Sequence, residues 1–270
     1  MANKKATKPR VHKTTGGEYP FSVLPWMKSI DANNCYAYAM HDYEKKRKWK
    51  STPADRRKLR EVIGKGYDYK SCGVLPMRTL NDNPQSLYVH HNRKMLGGLG
   101  TKKSEARYWK PCKKGHYKVM LFIGAGGPND KHGDFHFIKH NNSVKHIILN
   151  KDMRGPLTPR ENVIKKLAKL YHEPQSKIRK ALPQRRLSEG MVIKFPANLW
   201  SQKMGWATIP MFRDASGNII RDPRKADMRF STNYNRYCTT FCANKKIPRN
   251  TGVAIKNGNV NLKKNILKLI

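Results

Sequence analysis

Residues 116–124 read HYKVMLFIG, an aromatic and aliphatic run of strand length, and residues 134–140 read DFHFIKH, in which apolar and polar residues alternate. Between them lies AGGPNDKHG (125–133), which is rich in turn-forming residues. In the second run the alternation places Phe135 and Phe137 on one face of a strand and His136 on the other. Together the three stretches predict a β-hairpin within a sheet.

Upstream, residues 31–43 (DANNCYAYAMHDY) indicate a loop that leads into a short helix. Asn33 or Asn34 would cap this helix by accepting hydrogen bonds from the free N–H groups of its first turn. Cys35 then lies in that turn, where the helix dipole and free N–H groups are expected to lower the thiol pKa. Paired with His136 as a base, Cys35 becomes a candidate nucleophile. The alternative is that Cys35 is a small buried apolar residue and His136 a surface strand residue.

A helical region is predicted at 158–182. Thr158 to Glu161 form a capping box with Pro159 at the first helical position, and apolar residues follow at helical spacing. Pro174 should break the helix, and residues 176–182 should form a second one. The pair could be a DNA-binding helix-turn-helix, although an ordinary amphipathic hairpin with solvated lysines fits the pattern better.

The remaining segments are less regular. Residues 64–115 are rich in Gly, Asn and Pro and indicate loops with short strands. MVIKFP (191–196) and WATIPMF (206–212) indicate further strands, followed by a tight turn at 214–218.

The charge is extreme. Lys and Arg number 56 against 18 Asp and Glu, giving a formal net charge of +38, with no acid before Glu18 or after Asp227. Such a chain is expected to bind a polyanion, most simply nucleic acid, and its ends read as basic arms. Candidate phosphate-binding residues lie in the patch at 45–60 and in the helical region: Lys45, Lys46, Arg47, Lys48, Lys165, Lys166, Arg179, Lys180, Arg185 and Arg186. We find neither an apolar signal segment nor a membrane span, so we expect a soluble protein that is not secreted.

The five cysteines are odd in number and sparse, which favours reduced thiols in a cytosolic or nuclear setting. A zinc site is an alternative, built from Cys238 and Cys242 with Cys72, Cys112 or His116. The simpler interpretation of the Cys238–Cys242 spacing is two thiols on one face, so we expect no metal. The glycine clusters at 97–100 and 124–127 do not match a phosphate-binding loop, and no cofactor is expected.

Several short motifs resemble the papain-like cysteine hydrolases, in particular relatives of the NlpC-type cell-wall endopeptidases. They are NCYAYA (34–39), GHYKV (115–119), DFHF (134–137), WSQK (200–203), which is similar to a WSHK-like segment, and DASGNIIRDP (214–223). The resemblance implies an α+β fold in which an N-terminal helix carrying the cysteine packs on an antiparallel sheet. It implies Cys35 as the nucleophile, His136 as the general base and Gln202 at the position that orients the imidazole, where the family pattern has His.

The resulting domain prediction is a basic arm at 1–17, a papain-like domain at 18–243 with a helical insertion at about 141–199, and a second basic arm at 244–270. Two functions fit. The chain is similar in type to basic minor capsid proteins of large nucleocytoplasmic DNA viruses, which implies a structural protein in the virion interior, or in the host cytoplasm or nucleus, in contact with nucleic acid and capsid proteins. The alternative is an active cysteine peptidase or amidase that acts on a peptide substrate.

Overall fold

The protein is described by a computed structural model that covers residues 10–27, 30, 33–43, 69–83, 85–90, 108–124, 134–205, 208–230 and 232–247. Within these residues the fold is mixed α+β, which is the class that the sequence predicts. It contains one six-stranded sheet. The basic patch at 45–60, the turn at 125–133 and most of both terminal arms lie outside the described residues.

The sheet is antiparallel except at one edge. Its strands are β1 (Tyr19–Phe21), β2 (Leu87–Val89), β3 (His116–Gly124), β4 (Asp134–Ile147), β5 (Val192–Gln202) and β6 (Arg236–Asn244). The strand order is β1-β4-β3-β6-β2. The second half of β4 pairs with two further strands, antiparallel with β5 and parallel with β1. The predicted hairpin is therefore confirmed as β3 and β4, paired from Val119 opposite Lys139 to Gly124 opposite Asp134.

The described helices are α1 (Leu24–Met27), α2 (Cys35–Met40), α3 (Tyr69–Asp82), α4 (Asn150–Met153), α5 (Pro159–Tyr171) and α6 (Gln175–Ala181). The predicted cap of α2 is confirmed, because the side chain of Asn34 accepts hydrogen bonds from the N–H groups of Tyr36 and Ala37, both at 3.1 Å. The helix ends at His41, whose φ of 54° is left-handed.

The two faces of the β3–β4 hairpin contact different parts of the core. Phe135 and Phe137 pack with Cys35 and Tyr36 in a cluster that α2 and α3 cover. Ile138, on the opposite face, packs in a second cluster that includes Met120, Trp200 and Tyr234. Neighbouring side chains in the first half of β4 thus enter two different apolar clusters.

The helices α4 to α6 lie between β4 and β5 in the chain, inside the range of about 141–199 that the sequence predicts to be helical, but both ends of that range are strand. Residues 141–147 continue β4, and residues 192–199 already belong to β5. Val163, Ile164 and Leu167 of α5 pack against Phe195 of β5 in a third cluster, which attaches the helices to the sheet. The N-cap of α5 is confirmed at Thr158, which accepts from the N–H of Glu161 at 3.3 Å.

Two predictions of local structure are wrong. Residues 69–82, expected as loops and short strands, form the helix α3 with Pro76 inside it. Burial of Leu75 and Leu80 in the first cluster outweighs the turn tendency of Gly and Pro there. The segment at 208–212 forms no strand in its described part, where Met211 makes only an isolated bridge to Gln202.

Part of the predicted N-terminal arm is packed on the domain. His12 is 1% exposed and stacks on Trp109 with ring centroids 4.3 Å apart. Its Nδ1 lies 2.9 Å from the amine of Lys118. Residues 10–17 therefore contact the sheet region instead of extending from it. None of the helices in the described part of the chain has both the length and the apolar character needed to cross a bilayer.

Candidate functional site

The Cys35 thiol is buried, with 5% of the residue exposed, and donates a hydrogen bond to the carbonyl of Phe135 at 3.8 Å. Burial, with a smaller contribution from the carboxylate of Asp134, raises the pKa of Cys35 to about 12. Hydrogen bonding by the backbone of Phe137, the charge of Lys203 and hydrogen bonding by the backbone of Tyr36 lower the pKa, but each contributes less than burial does. The lowered pKa expected at a helix N-terminus is thus not found, because desolvation of the thiolate exceeds what the first turn of a six-residue helix contributes.

His136 and Gln202 are brought together, as the sequence predicts. The side-chain oxygen of Gln202 accepts a hydrogen bond from Nε2 of His136 at 2.8 Å, and the Gln202 amide nitrogen donates to the carbonyl of Arg213 at 2.8 Å. The imidazole also contacts Tyr234, with ring centroids 4.8 Å apart. Burial lowers the pKa of His136 to about 4, so the ring is neutral at physiological pH.

Cys35 and His136 are not hydrogen-bonded to each other within the described residues. Phe135 and Phe137 pack in the cluster that contains Cys35, and His136 lies between them on a regular strand, so its side chain projects to the opposite face. Within the described residues the thiol makes its hydrogen bond to the Phe135 carbonyl and none to the imidazole. The described residues therefore hold a neutral thiol and a neutral imidazole with no hydrogen bond between them, and the charges of Asp134 and Lys203 act on the sulfur.

Three polar residues near Cys35 or His136 were given no role in the sequence analysis: Asp134, Lys203 and Tyr234. Tyr234 donates a hydrogen bond to Asp134 at 2.8 Å, next to the imidazole of His136. Lys203 is fully buried, and its amine donates to the carbonyls of Ile30 at 2.8 Å and Gly205 at 2.7 Å. Asp134 precedes His136 by two residues, so strand alternation would have placed both on one face. Lys203 lies in the quoted WSQK motif, which assigned it no role.

Two further lysines are buried in the sheet. The amine of Lys139 donates to the carbonyl of Tyr38 at 2.9 Å and lies 3.8 Å from the centre of that ring. The amine of Lys118 donates to the carbonyl of Tyr108 at 2.9 Å, and burial, with the nearby charge of Arg10, lowers its pKa to about 7. These lysines are held by carbonyls and rings and are not part of a surface for polyanions.

Four of the five cysteines form disulfides, which corrects the expectation of reduced thiols. Cys72 bonds to Cys238, and Cys112 bonds to Cys242. Cys35 is the free cysteine. A register irregularity opposite Leu121 and Phe122 turns Cys238 towards the first cluster, whereas Cys242, opposite Lys118, faces the other side. The two cysteines of β6 therefore do not lie on one face as predicted, and the four do not form one zinc site.

The candidate phosphate-binding residues fall into three groups. Lys45, Lys46, Arg47 and Lys48 lie outside the described residues. The guanidinium of Arg179 donates hydrogen bonds to the two carboxylate oxygens of Glu161, at 2.5 and 2.9 Å. The amine of Lys166 donates to the carbonyls of Lys151 and Arg154. The rest are exposed and have no carboxylate partner in the described part of the chain: Lys165, Lys180, Arg185 and Arg186.

The helix pair resembles a helix-turn-helix only in outline. The turn contains His172 in the left-handed region, with φ of 48°. The second helix, α6, has seven residues and packs through Ile178 onto the third cluster. This geometry fits the amphipathic hairpin with solvated lysines that the sequence favours.

Comparisons of the chain with protein-family models, with curated proteins and with solved structures found no match.

Proposed function

We propose that this protein is a basic structural protein of a virion, of the minor capsid type, that binds nucleic acid through an exposed basic surface. We further propose that its sheet and α2 are a papain-like scaffold that does not work as a hydrolase. The first proposal rests on charge and its distribution. The second rests on the raised pKa of the buried Cys35 thiol, which makes no hydrogen bond to His136 within the described residues.

The observation that carries the proposal is the segregation of charge between residues 145 and 194. Twelve basic residues are exposed there, but only one acid, Glu189. The other acids of the segment are buried or partly buried, and Glu161 and Glu173 are in ion pairs. We name this set of exposed basic residues the hairpin surface, after the helical hairpin formed by α5 and α6. It comprises Lys145, Lys151, Arg154, Lys165, Lys166, Lys169, Lys177, Arg179, Lys180, Arg185, Arg186 and Lys194.

Such a surface suits phosphate better than a protein partner of mixed charge. Each lysine or arginine that neutralises a phosphate releases condensed counterions, which supplies sequence-independent affinity. Neighbouring copies of a chain with a net charge of +38 repel one another, so close packing in an assembly also requires a polyanion between them.

The second candidate function is a cysteine peptidase or amidase, supported by the resemblance and by the His136–Gln202 hydrogen bond. It requires a thiolate with a base in reach, whereas the Cys35 thiol has its pKa raised to about 12. The geometry therefore favours the structural function.

The test is the affinity of the full chain for duplex DNA, measured by fluorescence anisotropy over a range of salt concentrations. We expect log Kobs to fall linearly with log salt, with a slope of about −0.9 for each phosphate contacted. Absence of binding at low salt, or an affinity that salt does not change, overturns the proposal. Turnover of a peptide or amide substrate that is lost in Cys35→Ser would establish the hydrolase instead.

A further inference from the structure

We propose that His90, Cys112 and Cys242 form a binding site for a divalent transition metal such as Zn²⁺, which opens when the Cys112–Cys242 disulfide is reduced. A ring nitrogen of His90 and the two sulfurs all lie within 4.8 Å of one another. His90 directly follows β2, Cys242 lies opposite Tyr88 of that strand, and Cys112 lies in the segment before β3. Three separate parts of the chain thus converge on one point.

The nitrogen and one sulfur already have the spacing of a metal site. Nε2 of His90 lies 3.5 Å from Sγ of Cys242. Zinc binds thiolate sulfur at about 2.3 Å and imidazole nitrogen at about 2.0–2.1 Å, so two such ligands at a tetrahedral angle are about 3.5 Å apart. The observed separation is therefore that of a zinc-bound Cys–His pair.

The two sulfurs must separate before a metal can bind. Two thiolates on one tetrahedral zinc are about 3.8 Å apart, which is longer than a disulfide bond of about 2.05 Å. The Cα atoms of Cys112 and Cys242 are 5.6 Å apart, so rotation about the Cα–Cβ bonds can provide this change while the backbone stays in place. The disulfide and the metal are consequently alternative occupants of the same position.

The chemistry balances with a dithiol as the reductant. The dithiol supplies two electrons and two protons, which break the S–S bond, yield two cysteine thiols and leave the reductant as its own disulfide. Zn²⁺ then displaces the two thiol protons into solvent and forms two Zn–S bonds without further oxidation or reduction. Two thiolates neutralise the charge of the ion, which favours binding in a chain that is otherwise strongly positive.

The site resembles other metal centres in its surroundings. Cys112 and Cys242 are 6% and 0% exposed, which shields the sulfurs, whereas His90 is half-buried and leaves a path for the ion. The Tyr88 ring contacts the imidazole edge to face at 5.4 Å and restricts its orientation. The amine of Lys113 lies 5.4 Å from the centre of the Tyr88 ring. Three protein ligands leave the fourth tetrahedral position for water.

The experiment titrates Co²⁺ into the full chain, oxidised and after reduction with a phosphine, and records the thiolate charge-transfer and tetrahedral d–d absorption. Reduced wild type should bind one equivalent of Co²⁺, which Zn²⁺ displaces, and oxidised wild type should bind none. His90→Gln, which keeps every cysteine, should weaken binding at least about tenfold, and Cys112→Ser/Cys242→Ser should abolish it.

The matched control is Cys72→Ser/Cys238→Ser, which removes the other pair of cysteines and should retain the cobalt spectrum. Circular dichroism of each protein checks the fold. The proposal is overturned if reduced wild type unfolds or binds no Co²⁺, if the oxidised chain binds equally well, or if the two double variants lose binding to the same extent.

Discussion

The side-chain oxygen of Gln202 accepts a hydrogen bond from Nε2 of His136 at 2.8 Å, while the thiol of Cys35 donates to the Phe135 carbonyl at 3.8 Å. The pair of Gln202 and His136 has the geometry of a base and its orienting residue. It makes no hydrogen bond to the Cys35 thiol, and regular alternation along β4 directs His136 to the face opposite Phe135 and Phe137.

Replacing Gln202 by the residue of the family pattern should therefore not create a hydrolase. In Gln202→His the imidazole of His136 keeps a possible acceptor, but the thiol of Cys35 stays buried with its pKa raised to about 12. We expect no turnover of peptide or amide substrates in either protein, assayed by release of a fluorescent leaving group. Turnover that appears in Gln202→His and disappears on adding Cys35→Ser would contradict this account.

Alkylation of Cys35 should be slow at neutral pH. Burial raises the pKa of this thiol to about 12, so almost no thiolate forms between pH 7 and 9. In the oxidised chain the other cysteines are blocked, and mass spectrometry can assign the iodoacetamide adduct to Cys35 alone. His136→Ala should leave the pH profile unchanged; a fast reaction that slows in this variant is the opposing result.

Stability should fall on mild acidification. Burial lowers the pKa of His136 from 6.5 to about 4, so below pH 6.5 the unfolded chain binds a proton that the folded chain does not. The contribution is present above pH 6.5 and is lost as pH falls towards 4, by up to about 3 kcal/mol for this histidine. Urea unfolding at a series of pH values measures the slope.

The slope should be shallower in His136→Asn and unchanged in His172→Asn. His172 is exposed at the turn before α6, where its φ of 48° suits Asn. Equal slopes in wild type and His136→Asn would show that His136 is not buried in its neutral form.

The Cys72–Cys238 disulfide should contribute strongly to stability, because it closes a sequence separation of 166 residues and ties α3 to β6. Cys72→Ser/Cys238→Ser should lower the free energy of unfolding by about 2–5 kcal/mol in urea denaturation. Cys35→Ser, which removes a buried thiol but no cross-link, should cost less. Peptide mapping without reductant provides an independent check, and recovery of Cys72 and Cys238 as free thiols would refute the pairing.

Local patterns were sufficient to predict the elements that local chemistry determines. The alternation in DFHFIKH, the Asn34 cap and the Thr158 cap lead directly to β4, α2 and α5. The same alternation also predicts that His136 lies on the face of β4 opposite Phe135 and Phe137. The alternation does not predict which face of β4 the helix α2 covers. This contact determines the surroundings of Cys35.

The remaining errors have a common physical origin in contacts between distant parts of the chain. Residues 69–82 carry Gly73 and Pro76, so their helix depends on burial against the sheet and on the bond from Cys72 to Cys238. The opposite orientations of Cys238 and Cys242 come from one irregularity in the register of β6. Neither feature has a signature within its own segment.

The central claim is that the hairpin surface binds nucleic acid, and a charge-matched pair of variants tests it. Lys165→Gln/Lys169→Gln/Lys180→Gln removes exposed lysines of α5 and α6, while Lys110→Gln/Lys114→Gln/Lys246→Gln removes as many exposed lysines outside that surface. Both variants have the same net charge.

The measurement is the slope of log Kobs against log salt for duplex DNA. We expect the hairpin variant to have a slope shallower by about 0.9 for each lost phosphate contact, with weaker binding at every salt concentration, and the control variant to stay near wild type. Equal losses in both variants would mean that binding follows net charge alone, and would contradict the assignment of the hairpin surface.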